Sequence, residues 1–571
     1  MKKYIYIIAA LLVMGAASSC ADLDLNPLSS ASSENWYSDA NEIELALNNM
    51  YRKAFYTFET EFWTDRRTDD WAQRDQVYDF CNGSVVSTGS TYSTDWKNSF
   101  KAISRANRVI KSIEVKHKDD PSLQVFKAEA YFFRAYFYSR LVICYGDVPF
   151  YTDDIDIDKA FSMGRTEKAV VIEQIRKDYA AAIKVLPDNN TTEKCWRINK
   201  GVAKGIYARF ALNMKDYETC AKLCKEVMDS GVYALYYSTE NPADSYGELF
   251  RQKTLTCETM FNIQTSYSLD PDNTQAIKSW VLRTASGNAV AQPSWDLLAA
   301  YECTDGKTIN DSPLFDHKNP YLNRDPRCAM TFVVPGTKVY GVVFNPDPTV
   351  LTVYDDQAGK EVKNKDTKTN DNYAPYSGTC LRKGAQDEWR NGQYSENPEI
   401  IIRYADVILM YAEAKIEMNE IDNTVLNAIN DVRARAYGVQ RKDTSKYPAV
   451  TTTDQTELRK ILRRERRVEF AWEGRRFFDV RRWGLMKKMY SVHYYGLLNA
   501  TDLKTEYAKG NWFWPEKPTL DEDGFADFTK MYDKHLIERY GLHVYDPKVE
   551  LFPIPSNEVI INTNIKQNPG Y

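Results

Sequence analysis

Apolar residues recur at helical spacing in two blocks of the chain and lose that period between them. In the first block, Ile43, Leu45, Leu47, Met50, Tyr51 and Ala54 predict a helix over Asn41–Tyr56, and Trp96, Phe100, Ile103, Val109 and Ile110 predict one over Thr94–Ile113. A third starts at Pro121, with Asp120 as its cap and proline in the first turn, and runs to Cys144. Thr166–Leu186, Asn199–Asn213 and Asp216–Asp229 follow, stopped by Pro187 and Gly231. Between the first two helices, Phe58–Tyr92 carries no sustained period. It mixes Trp63, Trp71 and Tyr78 with Asp65, Asp69, Asp70, Arg74 and Asp75, and its aromatics argue against disorder.

From about residue 232 to 396 turn signals replace the helical period: Asp270-Pro271-Asp272-Asn273, Asp305-Gly306, Asn323–Arg327 and Asn345–Pro348. Short β-rich runs lie at Met330–Val334 and Val339–Phe344. Helices return at Ile401–Asn419, Thr424–Tyr437 and Asp454–Glu473, where Asp454 and Glu457 have capping-box spacing. The last part, 486–571, reads as extended and proline-punctuated. The pattern predicts a mostly α chain, with a helical scaffold over about 36–231 and 397–485 and a loop-rich, partly β insertion over about 232–396. Gly201, Ala203, Gly205, Ala208 and Ala211 permit close helix approach, and the helix–turn–helix units resemble tetratricopeptide repeats without a countable period.

One stretch stands out by charge. Leu458–Gly484 holds ten basic side chains against four acidic ones, interleaved with Phe470, Trp472, Phe477, Phe478 and Trp483. It could track a phosphate backbone, or it could be an amphipathic helix whose arginines pair with acids three or four residues away. The whole chain, 571 residues with a net charge of −5, is not a basic nucleic-acid binder, which favours internal pairing. Aromatics make up 13% of the residues, with 39 tyrosines against 24 phenylalanines, and so supply much ring surface with a polar tip.

The N-terminus carries the compartment signal. Lys2 and Lys3 precede the apolar run Tyr4–Ala17, followed by Ser18, Ser19 and Cys20. This resembles a bacterial lipoprotein signal over 1–19, with Cys20 as the acylated first mature residue and 20–35 as a polar tether; an ordinary secretory peptide is the alternative. No later run approaches the roughly 20 apolar residues of a membrane span. The remaining cysteines, Cys195 among them, show no disulfide framework. Cys220 and Cys224 fall one turn apart on a helix, yet no histidine spacing completes a metal site, so no metal and no cofactor is expected.

Several separated motifs together resemble the SusD/RagB family: Cys20 with its signal, RAYFYSRLVICYGDVPF (Arg134–Phe150), NKGVAKGIYARFAL (Asn199–Leu212), NRDPR (Asn323–Arg327), NPEIIIRYADVILMYAEAKIEM (Asn397–Met418), ERRVEFAWEGRRFFDVRRWG (Glu465–Gly484) and LFPIPSNEVIINTNIKQNPGY (Leu551–Tyr571). The resemblance implies an outer-membrane, surface-exposed lipoprotein, anchored in lipid through Cys20. Its 36–571 domain would have a scaffold of tetratricopeptide-type helix pairs and would lie as a lid on a SusC-like TonB-dependent transporter. It implies capture of an oligosaccharide or polysaccharide, sometimes a peptide, for import, with no enzymatic activity and no nucleic-acid partner. In that setting Glu465–Gly484 reads as a scaffold segment whose last helix is fastened by acid–arginine pairs.

A sugar ring stacks its C–H face on an aromatic ring and exchanges hydrogen bonds with Asp, Asn and Arg. The loop around Trp63–Tyr78 has that composition, and Asp70, Trp71, Arg74 and Tyr78 are its candidates. Tyr267, Trp280, Arg283 and Trp295 form a second group, and Trp389 with Tyr394 a third. Against each tryptophan stands the alternative that it is core; Trp96, inside a helical pattern, reads so. A glycosidase would need paired carboxylates at a set distance, which neighbours such as Asp69/Asp70 or Asp153/Asp154 do not report, and no GxSxG, HExxH or phosphate loop occurs.

Overall fold

Caps set the helix boundaries, and most fall where the sequence marks them. In the computed structural model, α1 (Ala40–Asn48) starts at Asp39, whose carboxylate accepts the Glu42 N–H; beyond it the chain continues in 3₁₀ turns to Phe55, shorter than the helix expected to Tyr56. α2 spans Ser90–Lys116. α3 (Gln124–Tyr145) is entered through a 3₁₀ turn at Pro121–Leu123 capped by Asp120, and ends at Gly146, whose φ of 76° needs no side chain in the way. α4 (Lys168–Val185), α5 (Lys200–Asn213, capped by Asn199) and α6 (Tyr217–Asp229, capped by Asp216) complete the first block. The structure describes residues 37–571 except 38, 61, 75, 190–195 and 271–274, 393, and the side chain of Gln275. The signal at 1–19, the tether at 20–35 with Cys20, the turn residues 271–273, Asp75 and Cys195 lie outside the described residues.

The second block holds α7 (Tyr404–Glu417), α8 (Asn423–Ala436, capped by Asp422) and α9 (Gln455–Glu469), where Asp454 accepts the Glu457 N–H at 2.9 Å. The box is half made, because the Glu457 carboxylate pairs with Lys460 instead. Consecutive helices from α1 to α8 pack on each other, α6 on α7 among them, and α9 packs on α7, so the two blocks join into one helical scaffold with a common core. The fold is mostly α. No helix among the described residues is long and apolar enough to cross a membrane.

The strands are short: β1 (Trp71–Gln73), β2 (Thr259–Ile263), β3 (Gln275–Ala276), β4 (Ala291–Pro293), β5 (Lys338–Val339), β6 (Val342–Val343), β7 (Thr352–Asp355), β8 (Lys360–Lys363), β9 (Tyr394–Ser395) and β10 (Glu399–Arg403). β5 to β8 form an antiparallel meander, β3 pairs with β9, and β2 pairs with β10. That last pairing, with Glu399 opposite Ile263 and Arg403 opposite Thr259, makes a stalk from which the loop-rich insertion leaves and to which it returns. It also corrects the start of the expected Ile401 helix: those residues pair with β2, and helix begins only at Tyr404. Likewise Met330 and Thr331, expected in a strand, form the last turn of a short helix at Pro326–Thr331 capped by Asp325. The expected extended run 486–571 contains short helices at Met486–Met489, Ala500–Ala508, Thr529–Asp533 and Ser556–Ile561. A second core, in the loop-rich half, gathers Trp71, Trp280, Trp295, Trp389, Trp472 and Trp514.

The charged stretch sits between the two cores. Its pairs are long-range: Glu465 accepts from Arg327 and Arg433, Glu469 from Arg403, Arg435 and Arg327, and Arg467 reaches Asp69, Asp70 and Asp296. Arg466 holds Asp406 and Asp479. Internal pairing is therefore present, but the helix-face spacing expected for it is corrected, since few of these partners lie three or four residues away. Phe477 is buried, whereas Phe478 and Trp483 are half-buried, with Trp483 Nε1 donating to Glu413 at 2.7 Å.

Candidate functional site

Two loops that the sequence keeps far apart become neighbours through β1 and β4. Trp71 lies opposite Pro293, Ala72 opposite Gln292 and Gln73 opposite Ala291, and the ladder is extended by Arg74 N–H to Val290 O at 3.0 Å and Ser294 N–H to Asp70 O at 3.1 Å. β-alternation sends Trp71 inward. Its ring stacks on Trp472 with centroids 4.3 Å apart at 24°, and its indole N–H donates to Gln73 Oε1.

This placement corrects part of the expected site. Asp70 is buried against Arg467, Trp280 packs edge-on against Phe62, and Trp295 is 1% exposed with its N–H on Ser377 O at 2.7 Å. With Trp71 they belong to the second core, which takes up their ring faces and leaves none to a sugar. Trp389 is buried as well.

Arg74, Tyr78, Arg283 and Tyr267 lie at or near the surface, and the first three share one face. Arg74 donates to the Tyr373 carbonyl, and its guanidinium lies 5.0 Å from the Tyr373 ring centroid; that of Arg283, paired with Asp371 at 3.1 Å, lies 5.7 Å away. Tyr373 itself is 58% exposed. Tyr78 is half-buried, its hydroxyl donating to Gln73 Oε1 at 2.9 Å. Next along the same face, Tyr376 and Tyr540 pack at 4.4 Å, with Lys368 Nζ within 5 Å of both ring centroids and lowered to about 8 by burial. The face thus offers an exposed ring with two guanidiniums within 6 Å, amides at Gln73 and Gln76, and a basic group nearby.

A second platform stands at the β3–β9 pairing. Tyr267 and Tyr394 stack with centroids 4.9 Å apart at 18° and are 50% and 43% exposed. Tyr267 N–H donates to Glu396 at 2.7 Å, and the loop is tied down by Arg52 pairing with Asp270 at 2.9 Å. Offset rings held this way present flat faces without needing to be ordered on binding.

Tyr373, Tyr376 and Tyr540 were missed by sequence reasoning. The run Asp371-Asn372-Tyr373-Ala374-Pro375-Tyr376 is the signal that could have found the first two: tyrosines inside a turn, with the Asp371 carboxylate fixing the Tyr373 N–H at 2.8 Å. Among the described residues no cluster of His, Cys, Asp and Glu is arranged to hold a metal ion, and Cys220 and Cys224 are buried on the inner face of α6.

Comparison with known proteins adds the following. The family model described as "SusD family" matches residues 257–571, and one described as "Starch-binding associating with outer membrane" matches 23–212. SusD-like protein P2 of Formosa agariphila is 24% identical over 600 aligned positions that cover all of both chains; SusD-like protein P25 of the same organism is 24% identical, covering 69% of this chain and 70% of that one. Among solved structures, a SusD-like carbohydrate binding protein from Bacteroides fragilis superposes with a TM-score of 0.74 at 24% identity, covering 93% of this chain and 100% of its own. Surface glycan-binding protein A from Bacteroides fluxus gives 0.62 at 16% identity, covering 94% and 100%.

Proposed function

The chain belongs to the SusD family, and on that premise we propose that it is a cell-surface glycan-binding lipoprotein, anchored in the outer membrane through an acylated Cys20, that captures oligosaccharides and passes them to a SusC-like TonB-dependent transporter. The observation that carries the reading is Tyr373, a ring 58% exposed with the Arg74 and Arg283 guanidiniums within 6 Å, with the Tyr267/Tyr394 pair as a second platform. Such surfaces take a sugar by stacking its C–H face and bonding its hydroxyls, and they need no nucleophile or acid–base pair. The names of two neighbours in fold, a carbohydrate binding protein and a surface glycan-binding protein, agree with this class of ligand. The role is capture without turnover.

The test is calorimetry and affinity electrophoresis of the mature protein against a panel of oligo- and polysaccharides, with Tyr373→Ala and Tyr267→Ala beside it. Binding weakened by either substitution in a protein of unchanged stability supports the reading. Binding to peptide pools with none to glycans would replace it with the peptide-binding alternative, and release of new reducing ends would replace it with a hydrolase. Co-purification of a barrel protein from outer membranes tests the transporter partner.

A further inference from the structure

A cleft opens beside the β2–β10 stalk, next along the chain from Tyr394. Phe62, Phe250, Trp389 and Trp472 supply its apolar wall, and Asn262 and Asn397 its amides. Phe62 and Trp472 both have left-handed backbone, φ 54° and 60°, a conformation bulky residues adopt only when their surroundings impose it; their rings meet at 5.2 Å.

Four carboxylates line the cleft, and three have cations in contact. Glu59 pairs with Arg140 at 3.0 Å, Glu399 with Lys53 at 3.2 Å, and Glu473 with Lys383 at 2.6 Å and Arg403 at 2.7 Å. The fourth, Asp65, is 1% exposed. Its Oδ2 accepts the Gly474 N–H at 2.9 Å, its Oδ1 has no hydrogen-bond partner, and no ion pair among the described residues includes it. Lys383 cannot serve, because its three protons go to Tyr246 Oη, the Ala471 carbonyl and Glu473. Burial, with the nearby Asp70 charge, raises the Asp65 carboxyl to about 7 against the Gly474 N–H and the charges of Arg475 and Lys383, neither of which forms an ion pair with it among the described residues. A buried carboxylate facing aromatic rings, its own cation missing, is the complement of a ligand cation.

We propose that this cleft is a ligand site for a primary ammonium group carried on a sugar, with Asp65 as its counter-ion and Phe62 and Trp472 beside it. The inference rests on the glycan reading above and deepens it: beside the tyrosine platforms, which take sugar rings of any charge, the cleft selects an unacetylated amino sugar. The side-chain N–H groups of Asn262 meet a hydroxyl of the same unit, while the Asn397 amide is held by Phe250, Gly384 and Gln386 and shapes the wall.

The experiment is calorimetric titration of the mature protein with short β-linked glucosamine oligomers and with N-acetylated oligomers of the same length. The free-amine series is expected to bind about tenfold more tightly or better. Asp65→Asn should remove the preference. Should that variant fold poorly, Thr254→Trp, at an exposed position on the cleft rim, should remove it while leaving binding of the acetylated oligomers intact. Equal affinity for the two series, with neutral glycans still bound, overturns the inference and leaves the glycan function standing. A tighter grip on the amine of a short peptide overturns the sugar assignment, and absence of binding to every glycan overturns both.

Discussion

Arg327 of the loop-rich half reaches Glu465 of α9 at 2.7 Å, and each side chain is 1% exposed. Glu465 also accepts from Arg433 at 2.8 Å, so one carboxylate joins the short helix Pro326–Thr331, α8 and α9 in a medium where a lone charge is costly. Glu465→Ala is expected to destabilise the protein by about 1–3 kcal/mol in denaturant unfolding, because two buried guanidiniums each lose one carboxylate partner, Arg327 keeping Asp325 and Glu469 and Arg433 keeping Glu302. The glycan affinity of the folded fraction should stay that of wild type. A variant of normal stability with lost binding would move the site to this stretch.

Trp295 and Tyr373 predict opposite outcomes for the same truncation. Trp295→Ala opens a cavity in the second core and leaves the Ser377 carbonyl without its donor. A loss of about 3–5 kcal/mol follows. Tyr373→Ala, at an exposed turn, should leave stability within about 0.5 kcal/mol of wild type. It should weaken glycan binding by a stacking contribution of about 0.5–1.5 kcal/mol, a few-fold in Kd. Thermal melts and calorimetry on the pair check both halves.

Acid should unfold the protein through its buried carboxylates. Burial pushes the Glu469 carboxyl up, but the guanidiniums of Arg435, Arg403 and Arg327 outweigh it and hold the group well below the usual carboxylate range. A group lowered in the folded state contributes stability above its unfolded value of about 4.3. That contribution is lost as pH falls through that value and below. Unfolding free energy measured by urea titration should therefore drop steeply below about pH 4.3. Glu469→Gln should flatten that limb from a lower plateau; an unchanged acid limb would refute the assignment.

His543 acts at milder pH. Burial lowers its imidazole to about 4, with His493 beside it adding to the effect. The unfolded chain takes up a proton near pH 6.5 while the folded one does not. The His543 contribution to stability therefore falls as pH drops from about 6.5 to about 4, by an amount on the order of 3 kcal/mol, against the opposite slope of raised carboxyls such as Asp65 and Asp95. His543→Gln should remove that slope and leave the steeper carboxylate limb in place.

Local chemistry made much of this fold legible. Asp120 and Asp454 cap where the sequence marks them. Long-range pairing was not legible. Ile401 looks helical by composition, and only β2, distant in sequence, makes it strand. The arginines of α9 find their acids on other elements, so the pairs that matter could not be read from spacing. The candidate site divided in the same way. Arg74, Arg283 and Tyr267 have loop composition and lie on the surface, whereas Trp71, Trp280 and Trp295 have the same composition and lie in a core that loops build around themselves. A tryptophan in an irregular segment is compatible with either outcome until the neighbouring loop is placed, because burial there depends on tertiary packing rather than on periodicity.

The β1–β4 ladder has a bearing on how such proteins can be recombined. Since the loop bearing Arg74 is hydrogen-bonded to the one leading from Arg283, neither can be exchanged by itself for that of a relative: the remaining strand would present bare amides and carbonyls, and Trp71 would lose the partner backbone that turns it inward. Grafting a new binding face onto this scaffold means transplanting both segments together, with Tyr373 as the third.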